Sequence, residues 1–334
     1  MVTLKDIARA AGVSIATVSN VVNGTKPATP QVQRRVQEAI ERLGYVPNPH
    51  AQSLRTGHSR TLGLVVPDLT NPYFPALVQA IETRARALGY VLIVMDSGND
   101  ALRETEALTL LAGYRVAGVV WVPVDDARPL DWPYPIVTVD RPVRGCDTVA
   151  ADHAQGGALI GAHAVALGHR RIGLLSGPRH LQSATLRRIG VLRSIEGIAE
   201  VAWEYEVPFS SDLPSEVQAQ LCEPGCSLVV GANDAIAVAV IRHLREAGSR
   251  VPDDVAVVGF DDVPWADFVD PGLTTVRQPL AELGTSAVGM LHARIADPAT
   301  PLQQRTLPVE LVVRRSTERS MAEFAGDATE GAAA

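Results

Sequence analysis

Two sets of side chains in this chain have the types and spacing for recognition chemistry. The first is Ser14, Ile15, Ala16, Thr17, Ser19 and Asn20, close to the N-terminus. On a helix laid in a DNA major groove, Ile15 and Ala16 offer apolar contact to thymine methyls. Asn20 offers the paired hydrogen bonds that favour adenine. Thr17 and Ser19 are short enough to reach phosphates. The second set consists of carboxylates and amides placed just after apolar runs: Asp68, Asp140, Asn233, Asp234, Asp261 and Asp262. They suit a polyhydroxylated ligand in a cleft that excludes water. Tyr73 and Phe74, just past Asn71, can stack on the apolar face of a ring. Asp68 and Asn71 can equally cap the helix that follows them, and Asn233 the helix after it.

Neither set supplies covalent chemistry. No nucleophile elbow, P-loop or GxGxxG follows an apolar run. His153, His163 and His169 spread along one helix and its end, unpaired with a serine or cysteine, and read as surface or packing groups. Cys222 and Cys226 lack a second pair for a zinc site, and with Cys146 read as buried or idle thiols. No catalytic residue, metal or cofactor is expected.

The first set needs a small helical frame, and the sequence provides one. Thr3 reads as an N-cap with Asp6 completing a short capping box. Leu4, Ile7, Ala8 and Ala11 form a stripe, and Gly12 stops the helix. Ser14 caps a second helix on which Val18, Val21 and Val22 point one way, while Ile15, Ala16, Ser19 and Asn20 lie on or near the opposite side. Thr29, Pro30 and Gly44 punctuate a third helix with the stripe Val32, Val36, Ile40, Leu43. Pro47 and Pro49 end this bundle. HAQSLRTG then offers one or two helical turns with an exposed Leu54, too short to be stable alone. A segment that orders on DNA and inserts Leu54 in the minor groove accounts for that leucine.

The second set needs α/β layers. LGLVV (62–66), VLIVM (91–95), VAGVVWV (116–122) and IVTVD (136–140) alternate with helices near 72–88 and 101–113. RIGLLS (171–176), SLVVG (227–231) and VAVVGF (255–260) alternate with helices near 183–197 and 234–247. Continuous apolar strands spaced by helices imply parallel sheets, and two such sets imply two similar lobes. Ligands in open α/β sheets bind beyond the carboxyl ends of the strands, where the second set stands.

Charge separates the same two parts. The 334 residues carry −7, but residues 1–60 hold two Lys and six Arg against Asp6, Glu38 and Glu41, a net +5. The remainder therefore carries −12. A basic head attracts phosphate while an acidic body limits nonspecific adhesion. No apolar run reaches the ~18 residues of a membrane span. The N-terminus lacks the apolar core of a signal peptide, so a cytoplasmic protein is expected.

DIARAAGVSIATVSNVVNG, LGYVPNPHAQSLRTG and LGLVVPDLTNPYF, followed in order by LGHRRIGLLSG, GANDAIAVAVIRHLREAG, VPDDVAVVGFDD and LTTVRQPLAELG, closely resemble the LacI/GalR family of transcriptional regulators. The resemblance runs from about residue 2 to residue 318. It implies a helix-turn-helix headpiece (1–47), a hinge helix and linker (48–60), and a two-lobed body like that of periplasmic binding proteins (61–318). A tail (319–334) is expected to be disordered. It implies a homodimer on a near-palindromic double-stranded operator, contacted through Thr3, Ser14, Ile15, Ala16, Thr17, Ser19, Asn20, Asn23, Tyr45, Asn48, Ala51, Leu54 and Arg55. It also implies a small-molecule effector, a sugar or sugar derivative, between the lobes. Asp68, Asn71, Tyr73, Phe74, Asp140, Arg187, Asn233 and Asp261 are the expected contacts, with Gln278 at the lobe crossover. The stretch after Arg187 is shorter than the family norm, so a contact made there falls to Phe209 or Trp203. No heptad follows Thr317, which leaves a dimer rather than a tetramer. Expected behaviour is repression switched by the lobe angle. A periplasmic binding protein, an enzyme on the same body and a regulator that has lost its ligand response are the alternatives.

Overall fold

The computed structural model describes residues 2–23, 26–45, 59–125 and 132–318. The chain forms two compact units, Met1–Ser59 and Arg60–Ala334.

Among the described residues the first unit holds three helices, α1 (Leu4–Ala11), α2 (Ile15–Asn23) and α3 (Pro30–Leu43). Ile7, Ala8, Ala11, Val18, Val36 and Ala39 form its core, with Val21, Val22, Val32, Ile40 and Leu43 packed around them. The start of α1 is fastened by Asp6, whose carboxylate accepts from the Thr3 N–H (3.0 Å) and hydroxyl (2.6 Å). Those bonds lower the Asp6 pKa. Gly12 ends α1 at φ +62°, and the Arg35 guanidinium from α3 donates to the Ala11 and Gly12 carbonyls, a cation on a helix C-terminus. One expected cap is not made. Thr29 has the extended backbone of an N-cap but no side-chain bond, and α3 opens on the prefixed φ of Pro30.

The second unit contains two six-stranded sheets. In the first lobe the strands are β1 (Thr61–Val66), β2 (Val91–Asp96), β3 (Gly118–Trp121), β4 (Ile136–Val139), β5 (Asp147–Ala151) and β11 (Gln304–Leu307), ordered β11-β5-β4-β3-β1-β2. All are parallel. In the second lobe β6 (Arg171–Ser176), β7 (Glu200–Glu206), β8 (Leu228–Gly231), β9 (Ala256–Asp261), β10 (Thr274–Arg277) and β12 (Glu310–Val312) are ordered β12-β10-β9-β8-β6-β7. Only the β10–β12 pair is antiparallel there. Helices α4 (Tyr73–Ala87), α5 (Ala101–Gly113) and α11 (Leu280–Ala296) cover the first sheet. Helices α6 (His153–Ala166), α7 (Gln182–Ile195), α8 (Ser215–Cys222), α9 (Asp234–Glu246) and the short α10 (Trp265–Phe268) belong to the second.

The chain crosses between lobes three times: from β5 to α6, from β10 to α11, and from β11 to β12. The stretch after Arg187 that the sequence presents as trimmed contains β7 and α8, so the second sheet has as many strands as the first. No helix among the described residues is long and apolar enough to cross a membrane.

Candidate functional site

In the headpiece, Ser14 is the N-cap of α2. Its hydroxyl oxygen accepts from the Thr17 N–H at 3.0 Å and lies 2.8 Å from the Thr17 hydroxyl. Val18 is buried, which turns Ile15, 48% exposed, and Ala16 outward. Thr17, Ser19 and Asn20 are half-buried beside them, Thr3 is exposed and Tyr45 is half-buried. An apolar side chain left in solvent next to an amide and short hydroxyls is the composition a groove-reading helix needs. The side chain of Asn23, and all of Asn48, Ala51, Leu54 and Arg55, lie outside the described residues.

The body concentrates its chemistry where the lobes meet. Helices α6 and α7 touch backbone to backbone. A Cβ on Gly157 would lie 2.0 Å from the Arg187 carbonyl oxygen, and one on Gly190 would lie 2.2 Å from that of Ala154. This close approach brings Arg187 on α7 to His153 at the start of α6, with Arg187 Nε donating to His153 Nδ1 at 3.3 Å. The acceptor role of Nδ1 assigns the ring proton to Nε2, which faces Asp140 Oδ1 at 3.4 Å. Burial lowers the His153 pKa and the Arg187 charge lowers it further, against the pull of Asp140, so the imidazole is neutral.

Asp140 follows β4 in the left-handed region (φ +64°), and Asp261 ends β9 at φ +123°. Both conformations are unusual for a residue with a Cβ. They are held where the carboxylates are needed, at the carboxyl ends of the strands. Asp140 Oδ2 accepts from the Tyr73 hydroxyl at 2.6 Å. Tyr73 is 3.3 Å from Gln278 Oε1, Gln278 Nε2 donates to Asp261 Oδ1 at 2.8 Å, and Arg187 Nη2 lies 3.3 Å from the same oxygen. A circuit of polar contacts results: Tyr73, Asp140, His153, Arg187, Asp261, Gln278 and back to Tyr73; the His153 Nε2–Asp140 and Tyr73–Gln278 links in it are close approaches, since Nε2 makes no hydrogen bond and the one Tyr73 proton goes to Asp140. Tyr73 and Asp140 belong to the first lobe, Arg187 and Asp261 to the second, while His153 and Gln278 stand on crossover segments.

Electrostatics divide the two carboxylates. Burial would raise the Asp140 pKa, but His153, Tyr73 and Arg187 hold it at about 2. Burial pushes Asp261 up to about 6 despite Arg187 and Gln278, and the Asp140 charge adds to the rise. Asp234, fully buried, is driven upward by burial and then by Asp261. Its oxygens are engaged by the Thr275 hydroxyl and the Val263 N–H. The Arg187 guanidinium also lies 3.7 Å from the Phe260 ring centroid and 5.6 Å from that of Phe209, contacts that favour a cation in a dry site.

The cleft above the circuit, about 30 Å³ in volume, is lined by Asn71, Tyr73, Phe74, Asp140, Arg187, Phe209, Asn233 and Asp261, together with Val122, Arg141 and Ser183. Seven of the eight expected effector contacts thus converge. Asp68 stands apart in an adjoining cavity, where its Oδ1 accepts from the Thr70 N–H and hydroxyl. Caps are also made: Asn233 Oδ1 accepts from the Ile236 N–H at 2.9 Å, and Asn71 Oδ1 from the Tyr73 N–H at 3.1 Å. Each amide therefore uses its oxygen on a helix and retains its NH2. Tyr73 differs from a stacking platform. It is 4% exposed, packs edge-on against Phe74 (5.2 Å between centroids), and commits its hydroxyl to the circuit. Between Phe209 and Trp203, only Phe209 reaches the cleft. Trp203 covers Gly173 in the sheet and donates to the Pro224 carbonyl.

His153, which the sequence suggests is a packing group, is 2% exposed and central to the circuit. Its signal was its place just after a strand end. β5 is five residues with a polar start, DTVAA, and no apolar run marks it. Arg141 holds the same kind of place, two residues past β4, whereas Ser183, in the first turn of α7, had no signal of this kind.

A model of bacterial regulatory proteins of the lacI family matches residues 3–48, and one of the periplasmic binding protein-like domain matches residues 162–317. The ribose operon repressor of Bacillus subtilis (strain 168) is 32% identical over 330 residues, covering 96% of this chain and 99% of that protein. A Lac repressor dimer bound to operator and the anti-inducer ONPF superposes with a TM-score of 0.83 at 30% identity, covering 95% of this chain and 99% of that one. The complex of the transcriptional regulator CelR with cellobiose gives 0.68 at 28% identity, covering 95% and 100%.

Proposed function

Because the chain belongs to the LacI family of bacterial regulatory proteins, we propose that it is a ligand-responsive transcriptional repressor that binds a near-palindromic operator as a homodimer. Its effector is a carbohydrate held between the lobes. The observation that carries this is the buried circuit joining both lobes at the floor of a cleft, in a chain that also presents a groove-reading helix. A ligand that satisfies Asn71, Asn233, Arg187 and Asp261 together fixes the lobe angle, and the lobe angle sets the affinity for DNA. By linkage, operator binding shifts sugar affinity by the same factor. The protein is a cytoplasmic regulator and not an enzyme. Residues 1–47 read DNA, 48–60 form the hinge with Leu54 as its wedge, 61–318 sense and dimerise, and 319–334 are a tail.

The first lobe has a surface for the second copy. Edge strand β2 exposes Val91 (64%) and Val94, and the neighbouring α5 exposes Leu102 (77%) and Leu110. An open edge flanked by apolar helix residues is a pairing liability that self-association removes.

Selection of binding sites from random DNA tests the headpiece. The protein should recover a palindromic consensus, and Asn20→Arg should recover a different half-site, with guanine where Asn20 preferred adenine. An unchanged consensus would remove Asn20 from base readout.

Sugar affinity should fall as pH drops through about 6, because Asp261 then takes up a proton and loses acceptor strength, while Asp140, at about 2, stays ionised. Stability has its own sign. The folded Asp261 pKa lies above its ordinary 3.8, so the native state binds more protons between about 4 and 6. This group's contribution to stability therefore declines as pH rises through that window. Titration calorimetry across it, with Asp261→Asn as the variant lacking the step, checks both statements.

A further inference from the structure

Glu104 and Arg141 are two charged groups buried in the first lobe, outside the circuit. Glu104, on α5, is 5% exposed, and Arg141, two residues past β4, is 6% exposed. Both act on the same few residues at the end of β3. Glu104 Oε1 accepts from the Val124 N–H at 2.6 Å and from the Trp121 indole Nε1–H at 2.9 Å. Arg141 Nη1 donates to the Pro123 carbonyl and, at 2.7 Å, to the Val124 carbonyl. A carboxylate thus takes the segment's N–H groups while a guanidinium takes its carbonyls, and residues 121–124 are clamped between the two side chains. Burial raises the Glu104 pKa against the pull of its two donors, so the charge is held there at a cost.

Each end of the clamp stands on a working surface. Val122 and Arg141 line the effector cleft. Glu104, with Leu108 and Leu111, marks the buried face of α5, whereas Leu102 and Leu110 on its exposed face belong to the surface assigned to the second copy. Apolar contacts can slide, but a shifted segment strips hydrogen-bond partners from a buried carboxylate and a buried guanidinium, so this joint has one preferred arrangement. From this juxtaposition we infer that Glu104 and Arg141 are positioning residues of the switch: through the segment after β3 they tie the wall of the cleft to the helix that meets the second copy, and subunit association and cleft shape are set together. The inference rests on the homodimer surface above and adds a connection that does not pass through the headpiece. By linkage, a change at the cleft end shifts dimer affinity, and loss of the second copy loosens the cleft wall.

Trp121 reports on the clamp, because its indole proton makes one of the bonds to Glu104. Val91→Lys with Leu110→Lys changes two exposed positions, leaves the clamp intact and should make the full chain sediment as a monomer. In that monomer the Trp121 indole, followed by NMR and assigned with Trp121→Phe, should exchange with solvent about ten-fold or more faster than in the wild-type dimer, while the Trp203 indole of the second lobe keeps its rate. Arg141→Ala, a change at the cleft, should raise the dimer dissociation constant about ten-fold or more, whereas Arg141→Lys, which can still donate to both carbonyls, should stay near wild type. If the double variant is monomeric and Trp121 exchanges at the wild-type rate, the clamp only braces a loop, and the inference is overturned while the homodimer surface stands. Trp121 and Trp203 quickening together would mean a monomer loosened throughout, which overturns it as well, as does a wild-type dissociation constant in folded Arg141→Ala. If the double variant remains a dimer, the second copy docks elsewhere, and the surface assignment falls and takes the inference with it.

Discussion

Arg187→Ala should abolish the response of operator affinity to effector while operator binding itself persists. Arg187 is 8% exposed and touches four neighbours at once. It donates to His153 and to the Ala232 carbonyl, pairs with Asp261, and lies over the Phe260 ring. Removing it cuts the circuit at its only permanent cation. Asp140 and Asp261 are then two buried carboxylates without the charge that offsets them, and the Asp261 pKa, already about 6, should rise further. Truncating one partner of a buried charge pair costs about 3–5 kcal/mol, much of it from the charge left behind. A ligand that donates hydroxyls to Asp261 and accepts from Arg187 loses a comparable amount, so affinity should fall by roughly 100-fold or more. The three headpiece helices have their own core and none of these residues, so they should remain folded. Fluorescence anisotropy on operator DNA, with and without sugar, separates the two functions. A variant that kept its full response would place the ligand elsewhere.

Much of this arrangement was legible from local pattern. The long apolar runs at β1, β2, β3, β4, β6, β8 and β9 are strands in the structure, and the rule that ligands meet strand ends pointed to Asp140 and Asp261. The unread strands lack that pattern. β7, EVAWEYE, lies at a sheet edge with half-buried side chains, and β11 and β12 are short and mostly exposed. An edge strand is wetted on one side, so its sequence need not be apolar throughout. The circuit was less legible for a different reason. Tyr73 and Gln278 are 205 residues apart, and Arg187 and His153 are 34 apart. Periodicity reports which face a residue occupies, not which distant group it meets. Residue types identified the stations of the circuit, and only tertiary packing supplied its connections. Tyr73 shows the difference: its ring suggested stacking, whereas its hydroxyl holds the floor of the cleft.

Those connections depend on a contact that involves no polar side chain, and Gly157→Val should break them without touching any member of the circuit. The nearest atoms to a Cβ at Gly157 are the Arg187 carbonyl oxygen at 2.0 Å, its carbon at 2.9 Å and the Val191 nitrogen at 3.0 Å. All three are backbone atoms of α7, so no side chain can swing away. Helices α6 and α7 must separate, and the same interface holds Gly161 on α6 and Gly190 on α7, where an added Cβ would lie 2.7 Å from Ser194 Cβ and 2.2 Å from the Ala154 carbonyl oxygen. Overpacking costs about 1–3 kcal/mol, and occasionally more, where neighbours can adjust. Here they cannot, and a loss of about 3 kcal/mol or more is expected, lowering Tm by roughly 6 °C or more. Separation by one ångström also takes Arg187 Nε, now 3.3 Å from His153 Nδ1, out of hydrogen-bonding range. The variant should therefore lose its sugar response at temperatures where it is still folded. Gly289→Ala is the counterpart. It lies inside α11 with nothing within 4 Å of its added methyl, and should stabilise by about 0.5–1 kcal/mol with the response unchanged. If Gly157→Val instead melted normally and responded fully, close packing of α6 on α7 would not be what positions Arg187.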